Sequence, residues 1–179
     1  MKPEPIADPI RKHVISFESA EGLSSETIMN YVDPDKALPL SELKLNDLAI
    51  YPGIGLYLFY DQNNVLQYVG KCTSRSFLER IPAHFDCRKH AAFATISKRL
   101  GAEGMAGDDI SSISLEALNR FKLFLVNFTY DGILRENDNY SEEEVKPFTN
   151  KEAQSVGVIE RDIIQNQGPS LNRYRRVNS

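Results

Sequence analysis

Residues 55–84 read GLYLFYDQNNVLQYVGKCTSRSFLERIPAH, and the fold turns on them. The apolar run Gly55-Leu56-Tyr57-Leu58-Phe59-Tyr60 gives way to Asp61, Gln62, Asn63 and Asn64. A second run, Val65-Leu66-Gln67-Tyr68-Val69-Gly70, follows. Two β-favouring segments around a polar, Asn-rich tetrapeptide predict a β-hairpin. Beyond it come Lys71, Arg75, Arg80 and His84. A hairpin that carries Tyr57, Tyr68 and Lys71 to one end, beside an arginine, concentrates phenols and cations. Such a grouping suits a phosphate better than it suits packing.

The flanking segments extend the pattern. Ser76-Phe77-Leu78-Glu79 has the S-x-x-E form of a helix capping box. A helix starting there would put Arg80 and His84 on one face, one turn apart. Pro82 opposes this, because it lacks an N–H and clashes with the carbonyl four residues back, so the helix must kink or start late. Near the other end of the chain, Lys151–Gln167 has apolar residues at 153, 156, 159, 163 and 164, the spacing of an amphipathic helix. Glu160 sits beside its apolar stripe, and Gly168-Pro169 ends it. Phe121–Tyr130, FKLFLVNFTY, predicts a third strand.

Four blocks in this order resemble the GIY-YIG nuclease superfamily. Gly55-Leu56-Tyr57 and Tyr68-Val69-Gly70 are similar to its paired triplets, each differing only at the middle residue. Lys71 follows the second triplet, and Arg80 stands four residues before His84. Glu160 lies on the late helix, and Pro169-Ser170-Leu171-Asn172 is similar to the closing P-x-L-N. The resemblance implies an α/β fold: a three-stranded, mostly antiparallel sheet flanked by helices. It implies hydrolysis of phosphodiester bonds in DNA, double-stranded in the main. Tyr57, Tyr68, Lys71, Arg80, His84 and Glu160 are the implied catalytic set, and Gly55, Gly70 and Asn172 its structural support. Glu160 is the implied ligand of a single Mg²⁺ or Mn²⁺. One carboxylate suits a hard cation that keeps most of its waters, and a two-metal site would need more acids.

Within that set, Arg80 is expected to stabilise transition-state charge. Tyr68 or Tyr57 is expected to take the proton from water. A free phenol has a pKa near ~10, so it needs nearby cations to lower it, and Lys71 and Arg80 are the candidates. His84 would orient the phosphate or assist the base. Cross-strand packing is the plainer role for each tyrosine taken alone.

Composition sets bounds. The chain has 179 residues, 41% hydrophobic and 26% charged, which predicts one folded domain. No apolar run approaches the ~20 residues of a membrane span, and the N-terminal MKPEPIADPIRKHV lacks a signal-peptide core. Cys72 and Cys87 have no metal-binding spacing and are expected to be reduced thiols in a cytoplasmic protein. The net charge of −4 is unevenly spread: residues 71–100 hold seven cations against two anions, and residues 161–179 hold four against one. Arg75, Arg88, Lys89, Lys98, Arg99, Arg173, Arg175 and Arg176 in those segments are candidate DNA contacts.

The rest of the chain predicts less. Residues 1–50 read as an N-terminal arm, with a short strand at 13–17, a helix capped by Ser24 or Ser25, and a helix or packed loop over 39–48. His13 reads as a surface or strand residue. Residues 85–100 look helical, 101–112 a flexible loop, and Leu115–Asn119 a short helix. Segments 85–120 and 131–150 read as insertions into a small core. Seventy-nine residues separate Arg80 from Glu160, and a separate DNA-binding domain is not expected. This layout is most like the family's stand-alone type II restriction endonucleases, which embed recognition elements in the core and are often homodimers. Two alternatives stay open: a nucleic-acid-binding module of the same fold that does not cut, and an α/β protein with another partner. Repair or mobile-element roles are compatible with the first reading.

Overall fold

The computed structural model describes residues 4–86, 88, 95–102, 109–129 and 151–172. The predicted hairpin forms from β4 (Gly55–Tyr60) and β5 (Leu66–Cys72), antiparallel from Gly55↔Cys72 to Tyr60↔Leu66. Asp61 organises the turn: its carboxylate accepts from the backbone N–H of Asn63 and of Val65, both at 2.9 Å. Asn64 takes the left-handed conformation, φ 63°, which Asn tolerates better than most residues. β6 (Lys122–Phe128) pairs antiparallel with the other side of β4, as its apolar run predicts.

The sheet is larger than the expected three strands. β2 (Val14–Phe17) lies parallel to β6, β1 (Ile6–Ala7) pairs with β2, and β3 (Leu38–Pro39) pairs with the start of β6. The result is a six-stranded, mostly antiparallel sheet in the order β1-β2-β6-β4-β5, with β3 beside β6. Residues 14–48 are therefore core rather than an arm. Val14, Phe17, Ile28, Leu40 and Leu48 are all buried, and so is His13. A strand of four residues was too short to reveal which neighbour would bury it.

Strand alternation separates two apolar layers. Tyr57, Phe59, Tyr68, Leu123 and Leu125 face α3 (Phe77–Arg80), α4 (Thr95–Ala102) and α5 (Ile110–Arg120). They pack with Phe77, Ile81, Ile96, Leu100, Ile113 and Ala117. Leu56, Leu58, Val69, Phe124 and Val126 face the opposite way. They meet Ile28 of α1 (Ser25–Met29) and Val156, Ile159 and Ile163 of α6 (Lys151–Gln167). With both faces covered, β4 is buried along its whole length, which is why its sequence is nearly continuous in apolar residues.

Pro82 acts as its chemistry requires. Glu79 completes the predicted capping box by accepting from the Ser76 N–H at 3.0 Å. The α-helix then stops at Arg80, and Pro82–Phe85 form a separate 3₁₀ turn. Arg80 and His84 are thus held by two short elements, not by one helix face. Residues 39–48 form a 3₁₀ turn (Leu40–Glu42) and α2 (Leu45–Leu48). α5 is longer than the predicted 115–119 and starts inside the stretch read as a loop. α6 spans the predicted residues, and Gly168, at φ 58°, ends it. The predicted insertion 131–150, most of the 85–94 segment and the tail from 173 lie outside the described residues.

Candidate active site

The edge strand β5 brings the two sides of the sheet together. Tyr57 and Tyr68 belong to the α3–α5 layer, whereas Lys71 meets α6 on the other side. Between them lies Gly70, which has no side chain to part the two groups. The resulting cleft, about 350 Å³, is lined by Tyr57, Tyr68, Gly70, Lys71, Cys72, Thr73, Ser74, Arg75, Arg80 and Glu160. Tyr57 and Glu160 thus line one cleft although 102 residues lie between them in the sequence.

Gly70 is required by contact. A Cβ placed there would stand 2.2 Å from Tyr57 Cζ and 2.3 Å from its hydroxyl oxygen. Gly55 is required by its backbone: at φ 154° a Cβ would lie 1.9 Å from the carbonyl oxygen of Val126. The two glycines that frame the hairpin therefore let the tyrosine ring and the third strand approach.

The phenols sit in an aromatic cluster. The Tyr57 and Tyr68 rings are 6.1 Å apart, and the His84 ring lies 5.4 Å from one and 5.3 Å from the other. Tyr57 Oη and His84 Nε2 share a hydrogen bond of 2.6 Å. His84 is fully buried. Burial, with Arg80 and Arg99 nearby, lowers its pKa to about 3, so the ring is neutral. His84 Nδ1 has no hydrogen-bond partner among the described residues. An unmet acceptor is better tolerated than an unmet N–H, which favours the tautomer with the proton on Nε2, donating to Tyr57 Oη.

The expected lowering of the phenol pKa values does not occur in this state. Burial raises Tyr57 well above the ordinary value, and the Arg80 guanidinium only partly opposes it. Burial raises Tyr68 as well, opposed by Arg99 and Arg80 and by a hydrogen bond with Tyr57. The cations do pull in the expected direction, but the desolvation of a phenolate is larger. Arg99 first and Arg80 second are the cations that oppose burial at Tyr68.

Lys71 Nζ lies 3.0 Å from Glu160 Oε2. Gly157, one turn before Glu160 on α6, makes room for it: a Cβ at that position would be 3.1 Å from Lys71 Nζ. This glycine was missed in the sequence, yet it left a signal. Glycine inside a helix costs about 0.5–1 kcal/mol relative to alanine, so its presence asks for a reason. Asn172 is placed by a 3₁₀ turn, Ser170–Asn172. Its Oδ1 accepts from Val69 N–H at 2.7 Å and its Nδ2 donates to Val69 C=O at 2.8 Å. β5 is the last strand of the sheet among the described residues, and on that edge one side chain takes the place of a neighbouring strand.

The other candidate contacts scatter. Arg75 lines the cleft. Arg99 lies over the Tyr68 ring, 5.7 Å from its centroid. Lys98 and Arg88 are exposed, and Arg88 pairs with Asp86 at 2.5 Å. Lys89, Arg173, Arg175 and Arg176 lie outside the described residues. Cys72 is a buried free thiol whose pKa burial pushes up, and Cys87 is not among the described residues. No helix among the described residues is long and apolar enough to cross a membrane.

Among the described residues no group of three or more His, Cys, Asp or Glu side chains gathers to form a metal cage. Glu160 offers one hard oxygen donor at the cleft, its side chain 20% exposed. That fits an octahedral cation that takes its remaining oxygens from water and substrate. Lys71 would have to share or yield the carboxylate. No protein-family model matches this chain, and no curated protein or solved structure matches it either.

Proposed function

We propose that this chain is a metal-dependent DNA endonuclease of the GIY-YIG type. The observation that carries the proposal is convergence. The residues that the motif resemblance singles out lie in four blocks of sequence. Tyr57, Tyr68, Lys71, Arg80 and Glu160 line one cleft, His84 bonds Tyr57, and Asn172 clamps the strand that carries Tyr68. Packing alone gives no reason for these polar groups to meet. On this reading β4, β5 and β6, with α3 and α6, are the nuclease core, and the N-terminal strands and α4–α5 are additions to it.

The chemistry follows from the positions. A scissile phosphate in the cleft would meet Arg80, which offers a planar array of donors to the charge that builds on the phosphoryl oxygens. Tyr68 is the better candidate base, because Tyr57 is already engaged by His84 and is the more deeply enclosed. Its phenolate takes the proton from an attacking water, a form that Arg80 and Arg99 favour and burial opposes. Lys71 holds that water or phosphate oxygen once it is released from Glu160. A divalent cation at Glu160 would supply positive charge to the leaving oxygen and the phosphoryl group.

Cleavage of plasmid and phage DNA with Mg²⁺ tests this, comparing the native chain with Glu160→Ala and Arg80→Ala. Discrete fragments lost in both variants would support a sequence-specific enzyme of the restriction kind. Nicking or smearing lost in both would keep the nuclease and remove the restriction role. Absence of cleavage with Mg²⁺ and Mn²⁺, together with salt-sensitive DNA binding, would replace the proposal with a binding module. Activity that survives Glu160→Ala would overturn the mechanism.

A further inference from the structure

Arg99 belongs to none of the motif blocks. It lies on α4, inside the segment read as an insertion, and yet its guanidinium carbon is 5.7 Å from the Tyr68 ring centroid. That is within the range of a cation–π contact. Its position is built rather than incidental. Ile96 and Leu100 of α4 are buried in the same layer as Tyr57 and Tyr68. Ser97 Oγ donates to the His84 carbonyl at 3.2 Å and shares a 2.8 Å hydrogen bond with Ser114 Oγ of α5. Both serines are buried. The helix is therefore docked by side chains on the 3₁₀ turn that carries His84, and this docking fixes the arginine over the phenol.

We propose that Arg99 is a positioning residue for the reaction: held by α4, it fixes the Tyr68 ring and stabilises the phenolate that accepts the proton from water. The proposal rests on the endonuclease reading for its chemistry and on the α4 geometry for its assignment. Tyr57 on β4, His84 on the 3₁₀ turn and Arg99 on α4 lie against the Tyr68 ring. Arg80 on α3, Lys71 on β5 and Glu160 on α6 share its cleft. Of these, Arg99 stands first among the charges that oppose the effect of burial on the phenol. The insertion would then do more than read DNA, because it would complete the base.

The test compares Arg99→Met, which keeps length without charge, and Arg99→Lys, which keeps charge without the planar group. Rate–pH profiles of DNA cleavage with Mg²⁺ are measured for both and for the native chain. DNA binding is measured in Ca²⁺. The expected result for Arg99→Met is a kcat about tenfold lower at neutral pH, because less of the phenol is ionised. The rising limb should move to higher pH, KM and DNA affinity should stay within about twofold, and Arg99→Lys should recover much of the loss. A raised KM and weaker binding with an unmoved pH profile would overturn the proposal and make Arg99 a phosphate contact. A second readout does not need activity. In ¹³C-tyrosine NMR titrations the Tyr68 Cζ signal, identified by its loss in Tyr68→Phe, should titrate at higher pH in Arg99→Met than in the native chain. If the native chain does not cleave but this displacement is seen, the nuclease reading fails while the Arg99–Tyr68 coupling stands. If the native chain cleaves and neither profile moves, the proposal about Arg99 fails alone.

Discussion

Gly70 and the Tyr57 ring occupy one space: the position a Cβ would take at residue 70 lies 2.2 Å from Tyr57 Cζ. The ring is enclosed on its remaining sides by Phe59, Tyr68 and His84, so it has nowhere to retreat. Gly70→Ala should therefore cost about 1–3 kcal/mol, and more if β5 must shift. Chemical denaturation measures it. On the endonuclease proposal, loss of cleavage should accompany the loss of stability, because the same displacement moves both phenols. A variant as stable as the native chain would show that Tyr57 can repack.

Gly157→Ala should behave in the opposite way. The helix gains about 0.5–1 kcal/mol from the replacement of an interior glycine. Among the described residues, the neighbour in the way is the flexible end of Lys71, 3.1 Å from the new carbon. Thermal unfolding should rise by a few degrees for a gain of this size. On the endonuclease proposal, cleavage should fall, because Lys71 is pushed off its place beside Glu160. A rise in stability with unchanged activity would mean that the Lys71 position does not matter to the reaction.

Asn172→Ala should leave Val69 N–H and C=O without the partners they have at 2.7 and 2.8 Å. An unmet buried group costs about 1–3 kcal/mol, so a loss of roughly 2–4 kcal/mol is expected where water cannot enter. Asn172→Asp should fare no better, because a carboxylate can accept from the N–H but repels the carbonyl. Equal stability of Asn172→Asp and the native chain would refute the two-sided clamp.

Acid should destabilise the fold through His84. Its folded pKa is about 3, below the ordinary ~6.5 of the unfolded chain. Between those values the unfolded state takes up a proton that the folded state refuses. The stability contributed by the neutral ring is complete above pH ~6.5 and is lost as pH falls towards 3. His13, also buried and lowered, acts in the same direction. Urea midpoints at pH 7 and pH 4.5 should differ less in His84→Gln than in the native chain. Equal pH dependence in the two would show that His84 is not the sensor.

Local chemistry carried much of the architecture. The hairpin, the β6 strand, the capping box at Ser76, the break at Pro82 and the limits of α6 all follow from features spanning a few residues. Backbone propensity, turn chemistry and side-chain period act at that range. Tyr57, Tyr68, Gly70, Lys71, Arg75, Arg80 and Glu160, singled out in the sequence, line one cleft, whereas Cys72, Thr73 and Ser74 beside them were not singled out as part of a site.

Only the tertiary structure decided the rest. Residues 14–17 became core because β6 offered a parallel edge, and a four-residue strand carries no record of its partner. Arg99 reached Tyr68 because Ser97 and Ser114 dock α4, a contact between residues remote from both triplets. The sign of the phenol shifts also waited for the fold. Nearby cations could be counted in the sequence, but the desolvation that outweighs them depends on how completely Phe59, His84 and the facing helices exclude water. That exclusion is a sum over the whole packing, and no short stretch of chain contains it.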